Sequence, residues 1–99
     1  MSDVRTVRLG GPLGERFGQA HRLAVQSVAE AVVALDVVQP GFRQVLRDLD
    51  AEGLAFRVTV AGRDVAAEEI TLVSAGDILI MPMIAGSGSK LIGGAMLVV

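Results

Sequence analysis

Apolar and polar residues alternate in short stretches near the start of the chain, and glycine-rich or polar segments separate these stretches. Residues 4–9, Val-Arg-Thr-Val-Arg-Leu, contain β-branched side chains in partial alternation and predict a first strand. Residues 20–26 predict a second strand, with Leu23 and Val25 on one face. Residues 10–19 open with Gly-Gly-Pro-Leu-Gly, which favours a loop because proline lacks an N–H and glycine favours turns. The first two strands are therefore expected to form a hairpin.

The period of the apolar pattern then changes to that of a helix. Ser27 and Glu30 have the spacing of a capping box, which predicts a helix over residues 28–38. One apolar stripe of this helix consists of Val28, Ala31, Val32 and Leu35. A second apolar stripe, on the opposite side, consists of Ala29, Val33 and Val37. Two interpretations of Val33 and Val37 stay open: the next helix covers them, or they bind a partner.

A second, shorter helix and three more strands are predicted after Pro40. The helix covers residues 41–50 and ends at Gly53, and its apolar face consists of Phe42, Val45, Leu46 and Leu49. Residues 54–60 alternate as a strand, and residues 78–83 form a nearly continuous apolar strand that is expected to end at Pro82. A short or irregular piece at residues 65–73 lies between the turns at 61–64 and 74–77.

The order of these elements predicts an α+β fold. A hairpin, a helical crossover and further strands give a mixed sheet with one main helix and a short second helix packed on it, because such crossovers are right-handed in nearly all proteins. This is the β-grasp, or ubiquitin-like, arrangement. We expect the domain to cover residues 1–84, a Gly/Ser linker to cover 85–90, and an apolar segment, the start of a longer region, to cover 91–99.

Composition narrows the possible functions. Hydrophobic residues make up 52% of the 99 residues and aromatic residues only 3%, so the core must be mostly aliphatic. The net charge of −2 gives no basic patch, which argues against a nucleic-acid partner. With no cysteine and one histidine, cysteine-based zinc sites and histidine-pair catalysis are excluded. No stretch reaches the ~18–20 apolar residues of a transmembrane helix.

The remaining candidates for chemistry have simple structural interpretations. His21 is expected to be a partly buried structural residue, with a contact or pH-sensitive role as the alternative. The carboxylates at positions 48, 50, 52, 68 and 69 are expected to be solvated surface charges. Residues 10–14 lack the Lys-Ser/Thr of a phosphate-binding loop. We therefore assign no catalytic, cofactor-binding or metal-binding residues and expect no cofactor.

The C-terminal stretch carries the strongest candidate for binding. We expect a hinge at Gly86, Ser87, Gly88 and Ser89. The candidate partner-binding residues after it are Leu91, Ile92, Gly93, Gly94, Ala95, Met96, Leu97, Val98 and Val99. Three interpretations stay open: the segment packs against a partner or a second copy, begins a membrane-active or channel-filling region, or folds back onto its own domain. Membrane contact has little support, because Lys90 is the one basic residue nearby.

Five stretches, in order, resemble one protein family. They are Arg8–Gly18 with its Gly-Glu-Arg-Phe-Gly ending, Ala29–Val32, Pro40–Leu46 (Pro-Gly-Phe-Arg-Gln-Val-Leu), Phe56–Val65 (Phe-Arg-Val-Thr-Val-Ala-Gly-Arg-Asp-Val), and Ile78–Pro82 followed by Ile84–Gly86. Together they are similar to the lambda-like phage tail assembly protein I family, over roughly residues 8–94.

The resemblance implies a ubiquitin-like N-terminal domain, a glycine-rich hinge and an apolar C-terminal region. It implies a non-enzymatic assembly factor that binds other phage tail-tip proteins, or a second copy of itself, in the host cytoplasm during assembly or at the virion tail tip. The alternative is a ubiquitin-like sulfur carrier or modifier, because such proteins share the fold and act through a free Gly-Gly end. Five residues follow Gly94 here, so that alternative requires processing.

Overall fold

The computed structural model describes residues 4–85 and 90–98, and these residues form an α+β structure. Its elements are β1 (Arg5–Leu9), α1 (Gly11–Phe17), β2 (Ala20–Leu23), α2 (Val28–Val38), α3 (Phe42–Ala51), β3 (Leu54–Val60), β4 (Arg63–Asp64), a short 3₁₀ helix (Ala67–Glu69), β5 (Ile78–Ile84), β6 (Ile92–Gly93) and α4 (Gly94–Leu97). Both predicted helices and the strands expected at residues 4–9, 20–26, 54–60 and 78–83 are confirmed, although β2 ends three residues earlier than expected. β4 instead lies in the predicted turn at residues 61–64, and residues 65–73 contain the 3₁₀ helix and no strand.

The sheet is mixed, and its strands run in the order β2-β1-β5-β3-β4. β1 pairs with β2 in antiparallel fashion and with β5 in parallel fashion, with Val7 opposite Ile78. β5 and β3 pair along their whole length, from Leu54 opposite Ile84 to Val60 opposite Ile78. β1 and β5 are therefore central strands. The nearly continuous apolar run at residues 78–83 predicted a central strand buried on both faces; the central position is confirmed, but only Ile78 and Ile80 of β5 are buried.

One face of the sheet carries the core. In β1 the buried residues Val7 and Leu9 alternate with residues that are exposed or half-buried. β3 and β5 each bury a pair of apolar residues two positions apart, Phe56 with Val58 and Ile78 with Ile80. Helix α2 packs its predicted stripe into this core, because its buried residues are Val28, Ala31, Val32 and Leu35. Ser27 caps the helix, since its Oγ accepts the Glu30 N–H at 3.1 Å. The capping signal therefore placed the start of α2 correctly.

The expected loop between β1 and β2 is wrong, because residues 11–17 form helix α1. Proline is tolerated in the first turn of a helix, where its missing N–H would have no intrahelical partner. Leu13 and Phe17, four residues apart, lie on one side of α1 and are both buried. The connection still joins two antiparallel strands, but it contributes apolar side chains to the core.

Gly14 explains how α1 fits so close to the sheet. A Cβ built at this position would lie 2.4 Å from the backbone oxygen of Leu9, at the end of β1. Backbone cannot move aside as a flexible side chain can, so this contact requires glycine. The turn-like appearance of the Gly-Gly-Pro-Leu-Gly stretch therefore reflects close packing as well as turn formation.

Pro82 lies inside β5 and does not end it, which corrects the prediction. The N–H of Gly10 donates to the oxygen of Ile80 at 3.0 Å, and in a regular parallel ladder the next donor would be the N–H of residue 82. Proline has no such donor, so pairing with β1 stops there. Pairing with β3 continues to Ile84. Pro82 thus ends only the parallel pairing of β5 with β1, and the antiparallel pairing with β3 continues past it.

Candidate partner-binding surfaces

The outer side of α2 is an exposed apolar surface, which we call the α2 face: Val33, Val37, Val38 and the neighbouring Ala29 and Ala34. The exposed fractions are 48% for Val33, 74% for Val37 and 52% for Val38. Helix α3 does not cover these side chains, so the interpretation in which it does is wrong. An exposed apolar surface of this kind is typical of a binding site, and binding of a partner here stays a prediction.

A shallow groove extends the α2 face towards β2. It has a volume of ≈ 430 Å³ and is lined by Ala24, Val25, Ala29, Glu30, Val33 and Ala34. Five of these six residues are apolar. The groove therefore suits an apolar side chain of a protein partner better than a charged small molecule.

Asp36 joins α2 to the first turn of α3. Its Oδ1 accepts the backbone N–H of Arg43 at 3.0 Å, in the first turn of α3, and its Oδ2 accepts from the Arg43 side chain at 3.2 Å. Helix α3 is thereby capped by a carboxylate of α2 and directs Phe42 and Leu46 into the core, where both are fully buried. Backbone hydrogen bonding from Arg43 lowers the pKa of Asp36 below its ordinary value, and the Arg43 side chain adds to this effect.

We expect Asp36→Ala to lower the melting temperature at neutral pH and to matter less in acid. The folded-state pKa of Asp36 is lower than its unfolded value of about 3.9, so its contribution is complete above that value and is lost as the pH falls through the folded pKa. Thermal melts followed by circular dichroism across a pH series would measure the gap between the two proteins.

Asp36→Asn is the matched control for this experiment. It keeps an acceptor oxygen but has no charge to titrate, so its offset from Asp36→Ala should not change with pH. A gap between the unmodified protein and Asp36→Ala that stays constant into acid would contradict the prediction.

The apolar segment at residues 91–98 lies on its own domain, which corrects the expectation that it stands apart. β6 pairs with β3 in antiparallel fashion, with Ile92 opposite Phe56 and Gly93 opposite Ala55. α4 packs against α3. Ile92, Leu97 and Val98 are 1%, 3% and 7% exposed, whereas Met96 is 52% exposed. The interpretation of a segment folded back is the one the structure shows, because burying these side chains removes apolar surface from water.

Gly94 is the tightest point of this contact. A Cβ built there would lie 2.2 Å from the backbone oxygen of Leu46 in α3. The Gly94 N–H donates to Oδ1 of Asp50 at 3.2 Å. The diglycine at positions 93 and 94 is thus part of a packed contact. This contact requires glycine at position 94, because any other residue would bring a Cβ against the α3 backbone.

Some of the predicted hinge and binding residues lie outside the part of the chain that the structure describes. The hinge residues Gly86, Ser87, Gly88 and Ser89 lie outside the described residues, as does Val99. Whether residues 91–98, Val33 and Val37 bind a partner stays a prediction, and the structure adds where their side chains lie.

Arg5 is a buried charged residue that the sequence reasoning missed. It is only 7% exposed, and it donates to the backbone oxygens of Gly76 at 2.8 Å and Ser74 at 2.9 Å. Burial lowers the pKa of Arg5, against an opposing effect of Asp77. Alternation along β1 could have revealed it, because Arg5 shares the inward face with Val7 and Leu9. The side chain fastens the turn before β5 to the start of β1.

The other candidates for chemistry are isolated. His21 is half-buried, and its Nε2 lies 3.2 Å from the oxygen of Gly18. Among the predicted surface carboxylates, Asp50 is a partner of Gly94, and Glu69 accepts the Ala66 N–H at 2.9 Å. Residues 4–85 and 90–98 contain no group of three His, Cys, Asp or Glu residues that could hold a metal ion. No helix in the part of the chain that the structure describes is long and apolar enough to cross a membrane.

Comparison with known proteins gives two matches. A family model described as bacteriophage lambda tail assembly protein I matches residues 3–87. The curated protein "Tail tip assembly protein I" of Escherichia phage N15 is 34% identical over 82 residues, which are 82% of this chain and 43% of that protein. The chain thus spans less than half of that relative's length. No solved structure matches the chain.

Proposed function

The chain belongs to the lambda tail assembly protein I family, and from this premise we propose that it is a non-enzymatic assembly factor of the phage tail tip. It acts by binding other tail-tip proteins, in the host cytoplasm while tails are built or at the tail tip of the virion. The name of the N15 relative supports the tail-tip role. The observation that carries the proposal is the exposed apolar α2 face on a chain of this family.

We also propose that the domain is a β-grasp. The support is its strand order, β2-β1-β5-β3-β4, with central strands β1 and β5 parallel and a helix crossing between β2 and β3. In this arrangement α2 is the main crossover helix, and α3 is the short second one. One side of α2 packs against the sheet, and the other side presents Val33 and Val37 to a partner.

The free energy gained by removing the apolar side chains of the α2 face from water favours binding of a partner there. Val37 exposes 74% and Val38 exposes 52% of its surface, next to an apolar groove. Covering an exposed aliphatic side chain contributes about 1.5–3 kcal/mol before ordering costs. A tail-tip protein with a complementary apolar ridge would gain this energy from several side chains together.

We expect Val33→Ser combined with Val37→Ser to weaken association with the partner by about tenfold or more, which corresponds to 1.4 kcal/mol or more. The domain should stay folded, because both side chains are substantially exposed already. The measurement is co-purification of the chain with the other tail-tip proteins of its phage, together with counts of assembled tails by electron microscopy.

Ile84→Ser is the matched control for the double variant. Ile84 is 76% exposed at the end of β5, outside the α2 face, so the loss of an exposed apolar side chain there should leave association unchanged. Undiminished co-purification of the Val33/Val37 variant would contradict docking through α2. An equal loss of co-purification in both variants would indicate nonspecific hydrophobic association instead.

The carrier alternative has less support than the assembly role. A sulfur carrier presents a slim, free glycine to an enzyme, whereas Gly94 here contacts the Leu46 backbone and hydrogen-bonds to Asp50. Intact-mass spectrometry of the native protein tests the alternative directly. A chain ending at Gly94 with a thiocarboxylate would support a carrier, and retention of the residues after Gly94 would exclude it.

A further inference from the structure

A second depression adjoins the apolar groove at the end of β2. It has a volume of ≈ 470 Å³ and lies between the start of β1, the end of β2 and the turn before β5. Val25 lines both the depression and the groove, so the two meet at this residue. We call the depression the arginine pocket, because Arg5 and Arg22 both line it.

Arg5 brings a buried positive charge to the wall of the arginine pocket. Its Nε and Nη1 donate to backbone oxygens, whereas its enclosed Nη2 has no hydrogen-bond partner in the part of the chain that the structure describes. Among the described residues no ion pair joins Arg5 to a carboxylate. A buried charge without a counter-charge is costly, so this wall favours an anionic group beside it.

The charged residues around the pocket are positive in sum, although the whole chain has a net charge of −2. Residues 4–85 and 90–98 supply one carboxylate to its lining, that of Asp77, which forms an exposed ion pair with Arg8 at 3.7 Å. Arg22 is exposed and forms no ion pair among the described residues. The pocket is therefore complementary to a carboxylate from outside the domain.

Strand β2 offers backbone groups beside these two depressions. It is the outermost strand of the sheet and pairs on one side with β1. The Leu9 N–H donates to the Gln19 oxygen, so the alternation of an antiparallel ladder directs the N–H and C=O groups of Ala20 and Arg22 away from β1. An extended peptide can add to such an edge and place its side chains in neighbouring depressions.

We propose that the apolar groove and the arginine pocket together bind one extended segment of another tail-tip protein, with an apolar side chain in the groove and a carboxylate beside Arg22. The proposal rests on the proposed function, because it names the kind of segment that the partner presents next to the α2 face. Nη2 of Arg5 is enclosed, so the carboxylate contacts Arg22 directly and offsets the charge of Arg5 across the pocket wall. A strand advances about 3.3 Å per residue, so an acidic and an apolar residue two to four positions apart reach both depressions.

Overlapping synthetic peptides that cover the other tail-tip proteins of the same phage are the probe. Fluorescence anisotropy measures their affinity for the full-length chain. The peptides that bind should carry Asp or Glu two to four positions from Val, Ile or Leu, and replacing that carboxylate by its amide should weaken binding about three- to tenfold. A set without any binding peptide, or binding that ignores the carboxylate, would overturn the proposal.

Arg22→Glu is the decisive variant, because Arg22 is exposed and its replacement leaves the core intact. It should weaken peptide binding about tenfold or more, and a lysine in place of the acidic residue of the peptide should restore it. Arg47→Glu is the matched control: Arg47 is exposed on α3, outside both depressions, and its replacement should change affinity by less than about twofold. Equal effects of the two variants would contradict the proposal.

Two further controls identify the source of the carboxylate. Sodium acetate supplies the carboxylate alone and should compete poorly with the peptides; effective competition would reduce the pocket to a site for small anions and overturn the proposal. Asp3 lies outside the described residues, and Asp3→Asn should change peptide affinity by less than about twofold. A large gain in affinity would show that the carboxylate of the chain itself fills the pocket, which would also overturn it.

Co-purification of the full-length variants with the tail-tip proteins separates this inference from the proposed function. Loss of the partner in the Val33/Val37 variant, with full retention in Arg22→Glu, would leave the proposed function standing and overturn the inference. Retention in both variants would contradict docking at this side of the domain altogether. Loss in both variants, with retention in Arg47→Glu, is the expected result.

Discussion

A Gly94→Val chain is expected to lose about 2–4 kcal/mol of unfolding free energy and to release residues 91–98 from their contact with β3 and α3. The valine Cβ would lie 2.2 Å from the Leu46 oxygen and 2.9 Å from its carbonyl carbon. Both atoms belong to the backbone of α3, which cannot rotate away. The segment must therefore lift off, and this exposes Ile92 and Leu97, which are 1% and 3% exposed in the folded protein.

Urea unfolding would measure the loss, and hydrogen exchange at Phe56 and its neighbours would report release of β6. Gly93→Ala is the matched control, because Gly93 has an ordinary backbone conformation and its nearest contact is a side-chain oxygen. It should cost less than the valine at position 94, about 1 kcal/mol, because the Asp50 side chain can shift by the few tenths of an ångström that a Cβ at 3.2 Å requires, whereas the α3 backbone cannot. A Gly94→Val chain as stable as the control would show that α3 and the segment are not in close contact.

Replacing Phe42 with alanine is expected to lower the unfolding free energy by about 3–5 kcal/mol. The side chain is fully buried at the start of α3, and its ring lies 5.3 Å from the Phe17 ring of α1 in an edge-to-face arrangement. Its loss would leave a cavity between the two helices. A domain of this size is stabilised by about 5–15 kcal/mol in total, so the variant would be close to unfolding at elevated temperature.

Val45→Ala is the comparison for this variant, since Val45 is only half-buried on the same helix. Its effect should be smaller by at least about 2 kcal/mol, because fewer buried methyl groups are removed. Equal losses in chemical denaturation would mean that the Phe42 site collapses without leaving a cavity. Phe42→Leu should recover a large part of the difference.

The elements with strong local signals were predictable. Helix α2 starts where Ser27 can cap it, and its buried stripe repeats every three to four residues, so the expected bounds of 28–38 are those observed. Strand β3 alternates cleanly over residues 54–60 and follows the glycine that ends α3, and its bounds also agree. In both cases the residues that determine the element are neighbours in sequence.

Helix α1 was missed because its glycine and proline residues have two possible meanings. Locally, Gly10 to Gly14 favour a turn. In the folded chain, Pro12 lies in the first turn of a helix, and Gly14 allows that helix to approach β1. The spacing of Leu13 and Phe17 was the available signal, although one pair of apolar residues four apart is weak support for a helix.

The place where residues 91–98 pack could not be predicted from the sequence of that segment. The segment contacts Leu46 and Asp50 of α3 and Ala55 and Phe56 of β3, which are distant in sequence from Gly94. Read alone, the segment looked like a free apolar strip. Because its packing contributes to the core, deleting residues 87–99 should destabilise the domain and is therefore not a clean test of partner binding.

Exposure of the α2 face likewise depends on a contact that the apolar pattern does not encode. The pattern correctly gave the inward side of α3, but it does not give the direction of α3 relative to α2, and the bonds between Asp36 and the first turn of α3 are made by polar groups. Sequence reasoning therefore found Val33 and Val37 as candidates and could not decide whether they were covered.

The division of the β3 edge between β4 and β6 also bears on solubility. An open strand edge is a template for pairing with another molecule, and long unpaired edges lead to amyloid-like aggregation. In the part of the chain that the structure describes, β6 covers the first half of that edge and β4 covers the second, whereas the edge strand β2 is four residues long and carries the exposed Arg22. A chain whose β6 cannot dock should therefore precipitate at concentrations at which the intact chain stays in solution.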